Sequence, residues 1–169
     1  MFLRLFFLLF FASNAFALEY RGKVVAVIDG DTIKVLEENK TLHKIRLYGI
    51  DAPEKKQPFG SAAKYHLSQM IFGKIVDVQV KNIDRYGREV AEIIFENGDA
   101  RKRSFGSRIS ANRSMIMDGY AWAYVQYLKG DDRRFYTELE TDAKKERLGL
   151  WQDSNPTPPW NFRKSKKRR

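Results

Sequence analysis

Between Tyr20 and Tyr48 apolar and polar residues alternate in three short runs. The runs are broken by Asp29-Gly30-Asp31-Thr32 and by a polar turn, Glu37 to Lys40. A period of two marks a half-buried strand, and an Asp-Gly pair between two such runs is a strong hairpin signal. Tyr20 to Ile28, Ile33 to Leu36 and Thr41 to Tyr48 are therefore predicted to form an antiparallel meander, which at this turn length curls toward a small barrel. Lys74 to Lys81, with Ile75, Val76, Val78 and Val80 against Asp77 and Gln79, supplies a fourth strand, and Glu89 to Phe95 a fifth. A helix separates the third strand from the fourth. Pro58 suits its first turn, Phe59, Ala63, Leu67, Met70 and Ile71 share one face, and Gly73 closes it. Five strands with a helix after the third is the order of an OB-fold barrel.

The predicted class is thus α+β, mainly β: a five-stranded OB-fold barrel with about three helices. The second helix runs from a cap at Ser110 or Asn112 to Met117. Ala121 to Tyr127 is aromatic and β-prone. Asp131 or Asp132 caps the third helix, on which Phe135, Leu139 and Ala143 share the inner face, and Gly149 ends it. Trp151 is expected to pack back on the barrel. His66 lies off the apolar stripe of the first helix and reads as a surface histidine without a role.

A chain of 169 residues with 43% hydrophobic content can bury a core for one domain. There is no cysteine, which excludes disulfides and thiolate metal sites, and two histidines, His43 and His66, are too few for a histidine-rich metal centre. Residues 1–17 read as a secretory signal peptide: Arg4, the apolar run Leu5 to Ala12, and Ala15-Phe16-Ala17 at the cleavage position. The expected location is secreted or periplasmic, an uncleaved anchor being the alternative. Of the net charge of +10, one unit is Arg4 and six lie in residues 163–169, so residues 18–162 carry only +3. The expected organisation is a signal peptide at 1–17, the barrel domain at 18–153, and a Pro-rich, basic tail at 154–169. The tail is extended to Trp160 and disordered beyond, and its cations read as an electrostatic tether. A second basic stretch, Gly98 to Asn112, has no period and reads as a loop.

The chemistry concentrates in turns. Arg46 to Glu54, Arg-Leu-Tyr-Gly-Ile-Asp-Ala-Pro-Glu, starts as a strand and is broken by Gly49 and Pro53. It carries one guanidinium and two carboxylates, a combination suited to a hard cation and to general-base work on an anion. Taken alone, it is equally a solvated surface turn. Asp31 sits at the first hairpin and Arg88 at the hairpin between the fourth and fifth strands. Asp29 is expected to shape its turn. If barrel closure brings these turns together, arginines can neutralise a phosphodiester, carboxylates can bind a cation, and one carboxylate can deprotonate water.

Ile-Asp-Gly-Asp-Thr at 28–32, the 46–54 segment, and Asp-Arg-Tyr-Gly-Arg at 84–88 resemble the three signatures of the staphylococcal nuclease family. Gly-Leu-Trp at 149–151 and Pro-Trp-Asn-Phe-Arg at 159–163 resemble its exported bacterial members. The resemblance covers roughly residues 20–163. It implies a calcium-dependent endonuclease that acts on DNA and RNA, preferentially single-stranded, cleaves the 5′ O–P bond and leaves 3′-phosphate ends. It further implies Asp31 and Asp51 as Ca²⁺ carboxylates, Ala52 as a backbone-carbonyl ligand, Arg46 and Arg88 as catalytic phosphate-binding arginines, Glu54 as general base, and Arg85 and Tyr86 as substrate contacts. Tyr124 or Tyr127 is a further stacking candidate. A monomer with no protein partner is expected. Ala52 often corresponds to threonine in the family; alanine keeps the carbonyl and loses a hydroxyl. Residues 99–111 read as an insertion of roughly ten residues. The alternative function is a non-catalytic nucleic-acid-binding or envelope interaction module on the same fold.

Overall fold

The computed structural model describes residues 18–96 and 107–167. The expected signal peptide and most of the basic stretch, residues 97–106, lie outside the described residues. In chain order the elements are β1 (Glu19–Val27), β2 (Thr32–Glu37), β3 (Leu42–Leu47), β4 (Ile50–Asp51), α1 (Gly60–Ile71), β5 (Ile75–Ile83), β6 (Glu89–Glu96), β7 (Arg108–Ser110), α2 (Ala111–Met117), β8 (Trp122–Ala123), α3 (Gly130–Lys145), a 3-10 turn Gly149–Gln152, and α4 (Pro159–Lys167).

The first three strands form the predicted meander. β1 also pairs antiparallel with β5, and β5 with β6. Parallel pairing of β3 with β6 then closes the sheet, with Ile45 opposite Glu89, Arg46 opposite Val90 and Leu47 opposite Ala91. Five strands so joined make the expected OB-like barrel. Its interior is filled by the inward half of each alternating run, including Val24, Ile33, Val35, Ile45, Leu47, Val76, Val78 and Ile93. Burying each such branched side chain stabilises the fold by about 1.5–3 kcal/mol. Ala63, Leu67 and Ile71, spaced by four residues, lay the buried stripe of α1 on the same core.

Where the barrel closes, Asn112 has no exposed surface. Its Oδ1 accepts from the Ile93 N–H (3.0 Å), and its Nδ2 donates to the carbonyls of Tyr48 (2.9 Å) and Ala91 (3.0 Å). One side chain on α2 thus stitches the end of β3 to the middle of β6. The cap of α2 is the other candidate, Ser110, whose Oγ accepts from the Arg113 N–H at 3.3 Å.

Several expectations are corrected. Arg108–Ser110 is not loop: it pairs with β6, where edge carbonyls and N–H groups are free to accept another strand. Only Trp122 and Ala123 of the β-prone run form a strand, antiparallel to Ile50 and Asp51. On α3 the inward stripe is Tyr136, Leu139 and Ala143. Phe135 is exposed beneath the Arg113 guanidinium, 5.1 Å from its ring centroid. His66 is held rather than free: its Nε2 lies 2.7 Å from Asp118 Oδ2, and its ring stacks on Tyr120 at 4.2 Å. Residues 159–167 are not disordered but form a fourth helix. Pro159 is its first residue, where a missing N–H costs nothing, and its Trp160 docks on the body of the protein.

Replacing Asn112 by alanine strips partners from a buried N–H and two carbonyls. It is expected to destabilise the fold by about 2–4 kcal/mol, read as a lowered urea midpoint with an unchanged slope.

Candidate active site

Barrel closure puts the charged turns at one end. Thr32 lies opposite Arg46 in the β2–β3 register, so Asp31 stands one residue from the arginine's cross-strand partner. On the other side Arg46 faces Val90, two residues along the chain from Arg88, which immediately precedes β6. The Arg46 guanidinium is buried between Asp31, which pairs with its Nη1, and Asp51, whose Oδ1 is 2.8 Å from Nη2; Nη2 also donates to the Ile50 carbonyl at 3.1 Å. Burial lowers the Arg46 pKa from its ordinary value; Asp51 opposes that shift and Arg88 adds to it. The two guanidiniums thus lie close enough to repel one another, an arrangement that suits an anion.

Both aspartates are nearly sealed from solvent, Asp31 at 7% exposure and Asp51 at 1%. Asp31 Oδ2 accepts the Ala52 N–H at 2.8 Å, and its Oδ1 accepts the Thr32 hydroxyl at 3.1 Å. Asp29 shapes the turn, its Oδ1 accepting the Asp31 N–H at 3.1 Å. Gly30 is required by space: a Cβ there would lie 2.6 Å from that of Ala52 and 2.8 Å from that of Ala63. The first hairpin can therefore press against the 50–54 segment and α1 only with glycine at this position. Asp51 is fixed by the short β4–β8 pairing.

Glu54 follows on a tight loop. The Gln57 Oε1 accepts its N–H at 3.1 Å, and a Cβ on Gly60 would lie 2.0 Å from its carbonyl oxygen. Phe59, between them, adopts a left-handed backbone (φ 65°) and is held by packing in the cluster of Trp122, Leu150 and Trp151. That conformation costs a non-glycine residue roughly 1–3 kcal/mol, so the surrounding contacts over-determine it.

Arg88 is oriented by Asp84, a residue the sequence reading did not single out. Asp84 Oδ1 accepts the N–H groups of Tyr86 (2.9 Å) and Arg88 (3.0 Å), and Oδ2 accepts Arg88 Nε at 2.7 Å. Burial raises the Asp84 pKa, but these hydrogen bonds and the guanidinium charge outweigh it and hold the carboxyl below its ordinary value. Asp and Arg four residues apart across a Tyr-Gly turn is the signal that could have found it. Tyr86 is 69% exposed, with Arg85 and Arg88 over its ring at 5.0 and 5.6 Å. Tyr127 is also exposed, whereas one face of Tyr124 is covered by Trp160, stacked at 5.7 Å and 10°.

The unforeseen member is Arg163, on α4. Its Nη2 is 2.7 Å from Asp51 Oδ2, and its Nη1 is 3.2 Å from Asp51 Oδ1 and 2.8 Å from Glu54 Oε1. Partial burial works against its charge, but the hydrogen bonds to Asp51 and Glu54 outweigh it and raise the Arg163 pKa. Asp31, Arg46, Asp51, Glu54 and Arg163 thus form one continuous network. Without Arg163 its three carboxylates and one guanidinium leave two negative charges uncompensated. That charge and an all-oxygen donor set fit a hard divalent cation. Among the described residues no group of three His, Asp, Glu or Cys converges as a cation cage, so any such ion would complete its shell with backbone carbonyl and water.

The family model described as "Staphylococcal nuclease homologue" matches residues 44–153. This span includes Arg46, Asp51, Glu54 and Arg88 and leaves Asp31 and Arg163 outside. The chain is 40% identical over 153 residues to a Shigella flexneri protein named micrococcal nuclease, covering 88% of this chain and 83% of the relative. It is also 40% identical over 158 residues to Protein ParB of Escherichia coli, covering 94% and 86%. Staphylococcal-like nuclease CAN1 of Arabidopsis thaliana is 41% identical over 124 residues, 73% of this chain and 34% of that longer protein.

Because the folded-state pKa of Asp84 is depressed, its contribution is present above the ordinary carboxyl pKa, about 3.9, and is lost as pH falls through the lower folded value. The stability gap between the wild type and Asp84→Asn is expected to be constant above about pH 5 and to close progressively below it. Urea unfolding at a series of pH values reads this directly.

Proposed function

Because the chain belongs to the staphylococcal nuclease family and is a nuclease, we propose that it is a calcium-dependent endonuclease of DNA and RNA whose products end in 3′-phosphates. The observation that carries this reading is the single network joining Asp31, Arg46, Asp51 and Glu54, with Arg88 close enough to depress the Arg46 pKa.

The roles follow from the chemistry of each group. Asp31, Asp51 and the Ala52 carbonyl would hold the cation, which when bound supplies positive charge to a non-bridging phosphate oxygen. Arg46 and Arg88 place guanidinium forks on the phosphate, where charge grows in the five-coordinate transition state. Arg88 is oriented in advance by Asp84, whereas Arg46, whose two Nη groups pair with Asp31 and Asp51, has to exchange a carboxylate contact for the phosphate. Glu54, more open to solvent than either aspartate, takes a proton from water. The water oxygen bonds to phosphorus, the bond from phosphorus to the 5′-oxygen breaks, and that oxygen takes up a proton to leave as an alcohol. The phosphate stays on the 3′ side. Arg85 and exposed Tyr86 are placed to meet the flanking nucleotide, by charge and by stacking on an unpaired base. That stacking favours single-stranded substrate. The chain is proposed to act as a monomer. The pattern of residues 1–17 supports a secreted or periplasmic location.

With purified protein, cleavage of single-stranded DNA and of RNA is expected in calcium and not in excess chelator. Arg46→Ala and Arg88→Ala are each expected to lower turnover by roughly 10²–10³ or more. Glu54→Gln is expected to slow cleavage while retaining most nucleic-acid binding. Near-normal turnover in either arginine variant, or rate and binding lost in proportion in Glu54→Gln, contradicts the assigned roles. Salt-sensitive binding with no cleavage at all by the wild type favours the non-catalytic module.

A further inference from the structure

The C-terminal helix delivers a cation to the two carboxylates that the proposed mechanism needs free. Arg163 makes a two-pronged pair with Asp51, occupying both of its oxygens, and reaches Glu54 with the same Nη1. A guanidinium and a metal ion cannot occupy the same carboxylate lone pairs together. We propose that Arg163 is a resident competitor for the metal site: it pairs with Asp51 and Glu54 in the metal-free enzyme and must release Asp51 before calcium binds. The inference rests on the calcium reading of Asp31 and Asp51.

Three observations support the exchange. First, α4 is anchored without Arg163. Trp160 stacks on Tyr124 and meets Trp122 edge-on at 6.5 Å, while the buried Gln57 side chain donates to the Thr157 carbonyl. The helix can therefore stay docked while its arginine moves. Second, the Arg163 side chain is 39% exposed, against 13% for that of Arg46. Arg163 has an open path to solvent; Arg46 is walled in. Third, a cation at this place lowers the excess negative charge in either state. Arg163 compensates part of the excess negative charge of Asp31, Asp51, Glu54 and Arg46, and a divalent ion compensates it fully. A buried Asp51 whose Oδ2 had neither calcium nor Arg163 would be left with Arg46 alone on its other oxygen, and under-compensated buried charge is costly, so a resident substitute keeps the site formed when calcium is scarce.

The consequence is that calcium affinity is set partly by the strength of this pair. Charge-assisted, two-pronged hydrogen bonds are the strong kind, so the competition should be visible in solution. The test is isothermal titration of calcium chloride alone into the full chain and into Arg163→Gln and Arg163→Lys, with urea unfolding to confirm that each variant folds. Arg163→Gln is expected to bind calcium roughly 10–100-fold more tightly than the wild type, the range of one charge-assisted hydrogen bond. Arg163→Lys, which keeps the charge and loses the fork, is expected to fall between them. Calcium binding by the glutamine variant that is unchanged or weaker overturns the proposal, because a purely structural arginine gives that result. If neither the wild type nor the glutamine variant binds calcium, the metal reading falls and the inference with it. If the wild type binds and the variant binds no better, only the competitor role fails.

Discussion

The parallel pairing of β3 with β6 is the contact on which the site depends. Every other pairing among the five barrel strands is antiparallel and joins neighbours along the meander or across the α1 connection. Without the closure, Arg46 and Arg88 would sit on opposite edges of an open sheet. With it, the Arg46↔Val90 register brings Arg88, two residues before Val90, to the same end of the barrel as Arg46. Only three residue pairs make the ladder, and parallel ladders are slightly weaker per residue than antiparallel ones. The fold reinforces it with side chains. Asn112 bonds the backbone of both strands, and Glu89, at the head of the ladder, pairs with His43 Nδ1 at 2.8 Å and accepts the Tyr20 hydroxyl. The geometry of the candidate site and the integrity of the barrel thus rest on the same closure.

Closure also creates an electrostatic problem, two like charges in a partly buried place, and aspartates answer it. Asp31 and Asp51 flank Arg46, and Asp84 holds Arg88. The carboxylates proposed to bind the metal therefore also stabilise and orient Arg46, the proposed phosphate-binding arginine. Breaking one partner of such a buried pair costs more than the pair contributes, because the survivor is left uncompensated. Substitutions at Asp31 or Asp51 consequently disturb Arg46 as well as any bound cation, and their effects should not be divided between the two roles.

Much of this was legible in the sequence because it is local. Alternation gave the five barrel strands, and the Asp-Gly pair gave the first hairpin, although Gly30 is required there for close packing rather than for a left-handed backbone. What escaped was set by distant packing. Asn112 reads as a helix cap from its neighbours, but its amide is claimed by β3 and β6. The rotation of α3 that turns Tyr136 inward and Phe135 outward changes by one residue a stripe that sequence spacing tolerates either way. Asp84 sits inside a motif whose other members carry the obvious chemistry. Arg163 was hidden by its company: six cations in seven residues read as a tether. Pro159 at a helix start and Trp160 beside it were the available signs that this segment folds and docks.

The docked helix changes how the basic C-terminus should be regarded. A tether acts through net charge and tolerates shuffling of its lysines and arginines. A guanidinium with three hydrogen bonds to two named carboxylates does not, since lysine cannot present the same fork. The tail therefore divides physically at the site itself. Arg163 belongs to the charge balance of the barrel end, with the Trp160–Tyr124 stack fixing its reach, while Lys164 and Lys166 lie on exposed helix surface. Of those two, Lys166 is turned toward the Phe162 ring, at 4.7 Å, rather than toward an acid. The same short helix thus has one cation committed to the site and others free to act through long-range attraction on a polyanion, and only the second group should respond strongly to salt.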